Sequence, residues 1–72
     1  MPNYRIEELR QLIGRTFERD GKRRTVLNIA YSISTGQPWR VIWHDGDESI
    51  KVGSMVTKFM EWLAGAKEVT RP

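Results

Sequence analysis

Residues 15–33 read RTFERDGKRRTVLNIAYSI, and this stretch decides the fold. It contains two segments with spaced apolar residues, 15–19 and 24–33, joined by a charged connection that includes Asp20-Gly21. Asp-Gly between such segments is the strongest short signal for a tight turn between antiparallel strands. The stretch therefore predicts a β-hairpin with a basic turn.

The register of this hairpin depends on the length of its turn. Regular alternation along 24–33 places five residues on one face, which we predict to be the core face: Thr25, Leu27, Ile29, Tyr31 and Ile33. A two-residue turn would put Phe17 on the opposite face. A three-residue turn, 19–21 with a glycine bulge, pairs Phe17 with Arg23 and brings Phe17 to the core face. We therefore predict the three-residue turn.

A second Asp-Gly lies in HDGDES at 44–49. The segments on either side of it, 39–44 and 47–52, are predicted as strands. A two-residue turn places apolar residues opposite one another, for example Val41 opposite Ile50. The sequence therefore predicts a second hairpin, whose acidic turn would form the pole opposite to the basic turn.

Helices are predicted before and after the two hairpins. Residues 3–13 carry apolar residues at helical spacing, with Asn3 as the N-cap. Residues 54–64 are apolar over more than half of the helix circumference, and Gly65 is expected to end that helix. The remaining residues, 66–72, are predicted to be a flexible tail.

These elements predict an α+β fold in one domain, 1–72. Two β-hairpins over 15–52 would form a four-stranded antiparallel sheet, flanked by an N-terminal and a C-terminal helix. Short sheets of this size tend to curl, so a curled sheet or an SH3-like barrel is expected.

Composition limits the classes of protein to which the chain can belong. The chain has 72 residues, no cysteine, a net charge of +3 and a pI near 9.7. The lack of cysteine excludes disulfides and thiolate metal sites. No apolar run reaches the roughly 20 residues of a membrane span, and no signal peptide is evident. We expect a cytoplasmic protein that does not contact membranes.

Catalytic chemistry is not indicated. The single histidine, His44, lies beside Asp45, Asp47 and Glu48, which superficially resembles a metal or acid–base site. The predicted hairpin places all four at a solvent-exposed tip, and no glycine-rich phosphate loop is present. We expect a protein that is not an enzyme and that has no metal, no cofactor and no small-molecule substrate.

A basic cluster on the first hairpin is the main candidate site. Its five cations are Arg15, Arg19, Lys22, Arg23 and Arg24. Guanidinium groups favour phosphate oxygens, so these residues predict a sequence-tolerant contact with DNA or RNA. Arg40 and Lys51, predicted to pair on the second hairpin, would extend the surface and indicate an acidic neighbour. Alternatively, Glu18 and Asp20 neutralise part of the cluster, which would then only keep the sheet soluble.

Apolar residues outside the predicted core suggest a second kind of surface. These residues are Met55, Met60, Trp62 and Ile42. They are candidates for a protein interface or a homodimer contact, because small proteins rarely expose contiguous apolar surface without a partner. The alternative for the tryptophans is ordinary core packing.

A set of residues over about 13–63 resembles a known group of proteins. The set comprises Gly14, Thr16, Phe17, Asp20-Gly21, Arg24-Thr25-Val26, Phe59 and Trp62. It is similar to small accessory proteins of tailed phages and prophages that have no assigned activity. The order helix, basic hairpin, helix is also similar to head-completion proteins of tailed phages. The resemblance implies a role in the host cytoplasm, either on nucleic acid or, alternatively, as an inhibitor of a host factor or a component of virion assembly.

Overall fold

The computed structural model describes residues 5–69. Its elements in chain order are α1 (Ile6–Arg10), β1 (Thr16–Arg19), β2 (Lys22–Tyr31), β3 (Pro38–His44), β4 (Val52–Met55), α2 (Val56–Ala64) and β5 (Lys67–Val69). The five strands form one antiparallel sheet in the order β4-β3-β2-β1-β5. The predicted α+β class with an antiparallel sheet is confirmed. The prediction of four strands is wrong, and the sheet is open, so the predicted barrel is not confirmed.

The core lies between one face of the sheet and the two helices. Its buried apolar residues are Leu9, Leu12, Phe17, Val26, Ile29, Val41, Val56 and Phe59. Phe59 of α2 is fully buried, and Trp43, Met60, Trp62 and Leu63 pack around this cluster. Burial of Phe59 in the middle of the cluster fixes α2 against the sheet.

The turn of the first hairpin has two residues, so the predicted three-residue turn is wrong. Arg19 pairs with Lys22, and Phe17 pairs with Arg24. Asp20 and Gly21 both have positive φ, 53° and 77°. Positive φ at both central residues is the geometry of a type I′ turn, which matches the natural twist of a hairpin.

A bulge in β2 explains why Phe17 is nevertheless buried. The pairing of β2 with β3 shifts between Val26 and Asn28, so alternation is interrupted at Leu27. As a result Val26 and Ile29 are both buried, although they are an odd number of residues apart. The predicted core face of β2 is therefore largely wrong. Of its five members only Ile29 is fully buried, and Tyr31 and Ile33 are exposed.

The second hairpin has a longer connection than predicted. β4 begins at Val52, and Val41 lies opposite Ser54, whereas the prediction placed Val41 opposite Ile50. Carboxylate oxygens of Asp45 and Asp47 accept backbone N–H groups of Asp47 and Ser49 at 3.2 and 3.0 Å. These hydrogen bonds form Asx turns, which hold the segment in a turn conformation instead of a strand paired with β3. Residues 45–51 therefore form a loop, which we call the acidic loop.

This shift in register also changes the neighbours of the outer cations. Arg40 lies opposite Met55 and not opposite Lys51, so the predicted pairing of Arg40 with Lys51 is wrong.

The two chain ends also differ from the predictions. Helix α1 is shorter than 3–13, and turns continue it to Gly14, whose φ is +87°. The predicted N-cap, Asn3, lies outside the described residues. In the predicted tail, 67–69 form β5 on β1, so the prediction of a flexible tail is wrong there. Residues 70–72 lie outside the described range.

Candidate nucleic-acid interface

The basic turn and the acidic loop lie at the same end of the sheet. Thr25 of β2 is opposite His44 of β3, so the chain leaves β3 next to the first hairpin. A groove of about 440 Å³ runs between them, lined by Gly21, Lys22, Arg23, Arg24, Trp43 and Asp45. The prediction that the two turns form opposite poles is therefore wrong.

Arg24 is the most tightly held cation of the groove. Its guanidinium carbon lies 4.1 Å from the ring centre of Trp43 and 4.4 Å from that of Trp62. Phe59 is a third ring, at 5.8 Å. Burial lowers the pKa of Arg24 from its ordinary value, yet a guanidinium stays protonated at neutral pH. Within residues 5–69, no carboxylate forms an ion pair with Arg24. Cation–π attraction therefore holds this charge in place.

Arg15 and Arg19 have structural partners. The guanidinium of Arg15 makes a two-pronged contact with the Glu68 carboxylate, with Nε 3.0 Å from Oε2. This contact raises the pKa of Arg15 and lowers the pKa of Glu68. Arg19 donates to the carbonyl oxygens of Glu61 and Trp62, at 3.2 and 3.0 Å, near the end of α2. Carbonyls at a helix end have few helical partners, and that of Trp62 accepts the N–H of Gly65 at 3.2 Å outside the regular helix pattern, so Arg19 adds a cap to α2.

The remaining predicted cations are more accessible. Arg23 faces Glu18 at 3.5 Å in an exposed ion pair, which is a weak and easily exchanged interaction. Lys22, at the turn, is exposed and makes no ion pair within the described residues. Arg40 and Lys51 are also exposed but do not line the groove. Of the seven predicted contact residues, the structure therefore brings Lys22, Arg23 and Arg24 together.

His44 is buried, so its predicted position at an exposed tip is wrong. Its Nδ1 accepts the backbone N–H of Gly46 at 3.1 Å, which makes the ring part of the acidic loop. Its role in this loop is that of a turn-stabilising acceptor. Among residues 5–69, no group of three or more His, Cys, Asp or Glu side chains is arranged to hold a metal ion.

Most of the predicted protein-interface residues lie within the molecule. Met60 and Trp62 pack against the core and Ile42 is half-buried, whereas Met55 is 50% exposed. One patch of exposed apolar surface lies at the end of the sheet away from the groove. It consists of Tyr31, Ile33 and Trp39, which line an apolar hollow of about 350 Å³.

Sequence reasoning missed two functional features of the groove. Trp43 forms part of its wall, and Asp45 places a carboxylate in it. Both follow from the pairing of Thr25 with His44, which brings two distant segments together. No local pattern signals that pairing.

Among the described residues, no helix is both long enough and apolar enough to cross a membrane.

Compared with protein-family models, with curated proteins and with solved structures, the chain matches none of them.

Proposed function

We propose that the chain is a non-enzymatic accessory protein of the phage type that binds nucleic acid, DNA or RNA, through the groove between the basic turn and the acidic loop. The supporting observation is the run of three cations, Lys22, Arg23 and Arg24, along one groove with a single carboxylate, Asp45, in its lining. Phosphodiester oxygens accept hydrogen bonds from cations of this kind. Phosphate contacts carry no sequence information, so the proposed binding is sequence-tolerant.

The three cations contribute in different ways. Arg24 is held between two rings, so it presents a fixed charge with little loss of side-chain entropy on binding. Lys22 and Arg23 are exposed groups at the rim of the groove. A phosphate would displace only the exposed Glu18 from Arg23, which costs little because exposed ion pairs are weak. The Arg15 and Arg19 contacts are left intact.

Fluorescence anisotropy with labelled single-stranded and duplex DNA, at about 50 and 200 mM salt, tests this proposal. The double variant Lys22→Gln/Arg23→Gln is expected to bind more weakly and to lower the salt slope by about two. The control is Arg10→Gln/Lys58→Gln, which removes the same charge from exposed helix positions outside the groove. Absence of binding at tens of micromolar protein in low salt, or equal loss in both variants, would exclude the groove.

A second candidate function is protein–protein interaction, as in virion assembly or inhibition of a host factor. The supporting observation is exposed apolar surface away from the groove, including the fully exposed Ile33 and the half-exposed Met55. Soluble proteins use such surface for partners. An Ile33→Glu or Met55→Glu variant that loses a purified partner while keeping DNA affinity would separate this function from the first.

A further inference from the structure

The two edges of the sheet differ in how they are protected. β5, at one edge, carries Lys67 and Glu68, and charged residues at an edge discourage pairing with other chains. β4, at the other edge, reads Val-Gly-Ser-Met and has no charged residue, no proline and no bulge in its pairing with β3. Within residues 5–69, nothing pairs with the outer side of β4. An uncharged edge of this kind accepts a further strand.

The surface next to this edge provides space and a cation for a side chain. Gly53, in the middle of β4, has no side chain to cover its neighbours on β3. A Cβ built on it would lie 3.3 Å from Cδ1 of Ile42 and 3.6 Å from Cδ of Arg40. The guanidinium Nη1 of Arg40 would be 3.8 Å away. The side chain of Arg40 therefore lies over Gly53, where an added strand could reach it.

Apolar groups and a second cation flank the same edge. Met55, at one end of β4, is 50% exposed, and Ile50, just before the other end, is 53% exposed. Lys51 lies between Ile50 and β4 and is exposed. Neither Arg40 nor Lys51 makes an ion pair within residues 5–69. The edge thus combines unpaired backbone groups, apolar contacts and positive charge.

We propose that β4 binds an extended peptide segment of a partner protein, with acidic residues at alternate positions, as a sixth strand of the sheet. Side chains on one face of an added strand follow a two-residue period, so carboxylates at alternate positions would face Arg40. A second copy of this chain fits less well, because antiparallel pairing of β4 with itself would bring Lys51 of one copy toward Arg40 of the other. This site gives the second candidate function a definite surface and does not depend on the groove.

The test is a titration of the full ¹⁵N-labelled chain, followed by NMR, with a synthetic peptide of about eight alternating Val and Glu residues. Amide shifts are expected at 52–55 and at Arg40, and not at Lys22. Arg40→Gln is expected to weaken binding about threefold, as for an exposed ion pair. Two methylated peptides are compared, one with the backbone nitrogens of the odd positions methylated (the odd phase) and one with those of the even positions methylated (the even phase). In one of these two phases the methyl groups replace the N–H groups that face β4, which should abolish strand pairing and weaken binding about tenfold.

Matched controls make the outcome decisive. Met55→Glu places a repelling charge on the edge and should reduce binding, whereas Ile13→Glu adds the same charge at an exposed apolar residue outside β4 and should not. Three results would overturn the proposal. The first is equal affinity for a Val-Lys peptide. The second is binding that neither methylated phase weakens. The third is a dimer, seen by light scattering, that Met55→Glu dissociates. Loss of DNA binding in Lys22→Gln/Arg23→Gln without loss of peptide binding would separate the two sites.

Discussion

At the scale of single residues, Arg24 links the sheet to the second helix. The guanidinium contacts Trp43 of β3 and Trp62 of α2, two rings that pack against the core. A flat cation can contact two rings at once, whereas an ammonium cannot stack in this way. The same side chain that supplies charge to the groove therefore also holds the helix in place.

We predict that Arg24→Lys destabilises the fold by about 1 kcal/mol, because the stacked contact with the two rings is lost while the charge remains. The measurement is urea unfolding followed by tryptophan fluorescence. Arg23→Lys, on the adjacent exposed position, is the control and should change the free energy of unfolding by less than about 0.5 kcal/mol. Equal effects of the two substitutions would mean that the rings do not contribute.

At the scale of elements, the sequence predicts the strands and helices of this chain better than their register. The Asp20-Gly21 turn, strands near β1, β2 and β3 and the end of α2 at Gly65 follow from local chemistry. The bulge near Leu27 does not follow from local chemistry, because it arises from the pairing of β2 with β3 and no local sequence pattern indicates it. Regular alternation then assigns Val26 to the wrong face, and the turn length inferred from it is wrong as well.

The bulge can be tested by a pair of truncations in β2. Val26 is fully buried and Leu27 only partly, so Val26→Ala should cost about 2 kcal/mol of unfolding free energy and Leu27→Ala clearly less. Regular alternation predicts the reverse order, and so does side-chain size alone, because truncation to alanine removes more carbon atoms from leucine than from valine. Urea unfolding of both variants decides between the two registers.

The three-residue strand β5 depends on one ion pair for part of its attachment. Arg15 and Glu68 join β1 to β5, and the hydrogen bond from Arg15 lowers the pKa of Glu68 from its ordinary value of 4.5. A folded-state pKa below the unfolded value means that the pair stabilises the fold above about pH 4.5. This contribution is lost as the pH falls through the folded-state pKa.

We therefore predict that wild type unfolds at higher urea concentration than Glu68→Gln at neutral pH, and that the difference shrinks below pH 4.5. Side-chain NMR titration gives a second measurement. The pKa of Glu68 should rise toward its ordinary value in Arg15→Gln. A difference in urea midpoint that does not change with pH would show that the ion pair does not contribute.

At the scale of the whole molecule, only part of the candidate site could be predicted from the sequence. The seven cations could be named from composition and position, but their partners could not. Glu68 lies 53 residues from Arg15, and the carbonyls that bind Arg19 lie more than 40 residues away. Long-range pairing also brings the acidic loop beside the basic turn. The basic turn and the acidic loop, which are far apart in the sequence, therefore lie side by side at one end of the sheet.

This mixing gives the acidic loop a definite effect on binding. Asp45 is the one carboxylate in the lining of a groove with three cations, and it is exposed. A carboxylate within a few ångströms of bound phosphate opposes it, and the opposition weakens as salt shortens the screening length to about 8 Å at 0.15 M. Asp45→Asn keeps the side-chain oxygen that accepts the N–H of Asp47, so the loop should keep its shape.

We predict that Asp45→Asn raises affinity for DNA about two- to threefold at low salt and by less at high salt, as measured by anisotropy at both concentrations. Glu7→Gln is the control, because it makes the same change of net charge on exposed helix α1, outside the groove. If both variants gain equally, net charge alone governs the association. If only Asp45→Asn gains, and the gain fades with salt, the nucleic acid lies beside Asp45, as groove binding requires.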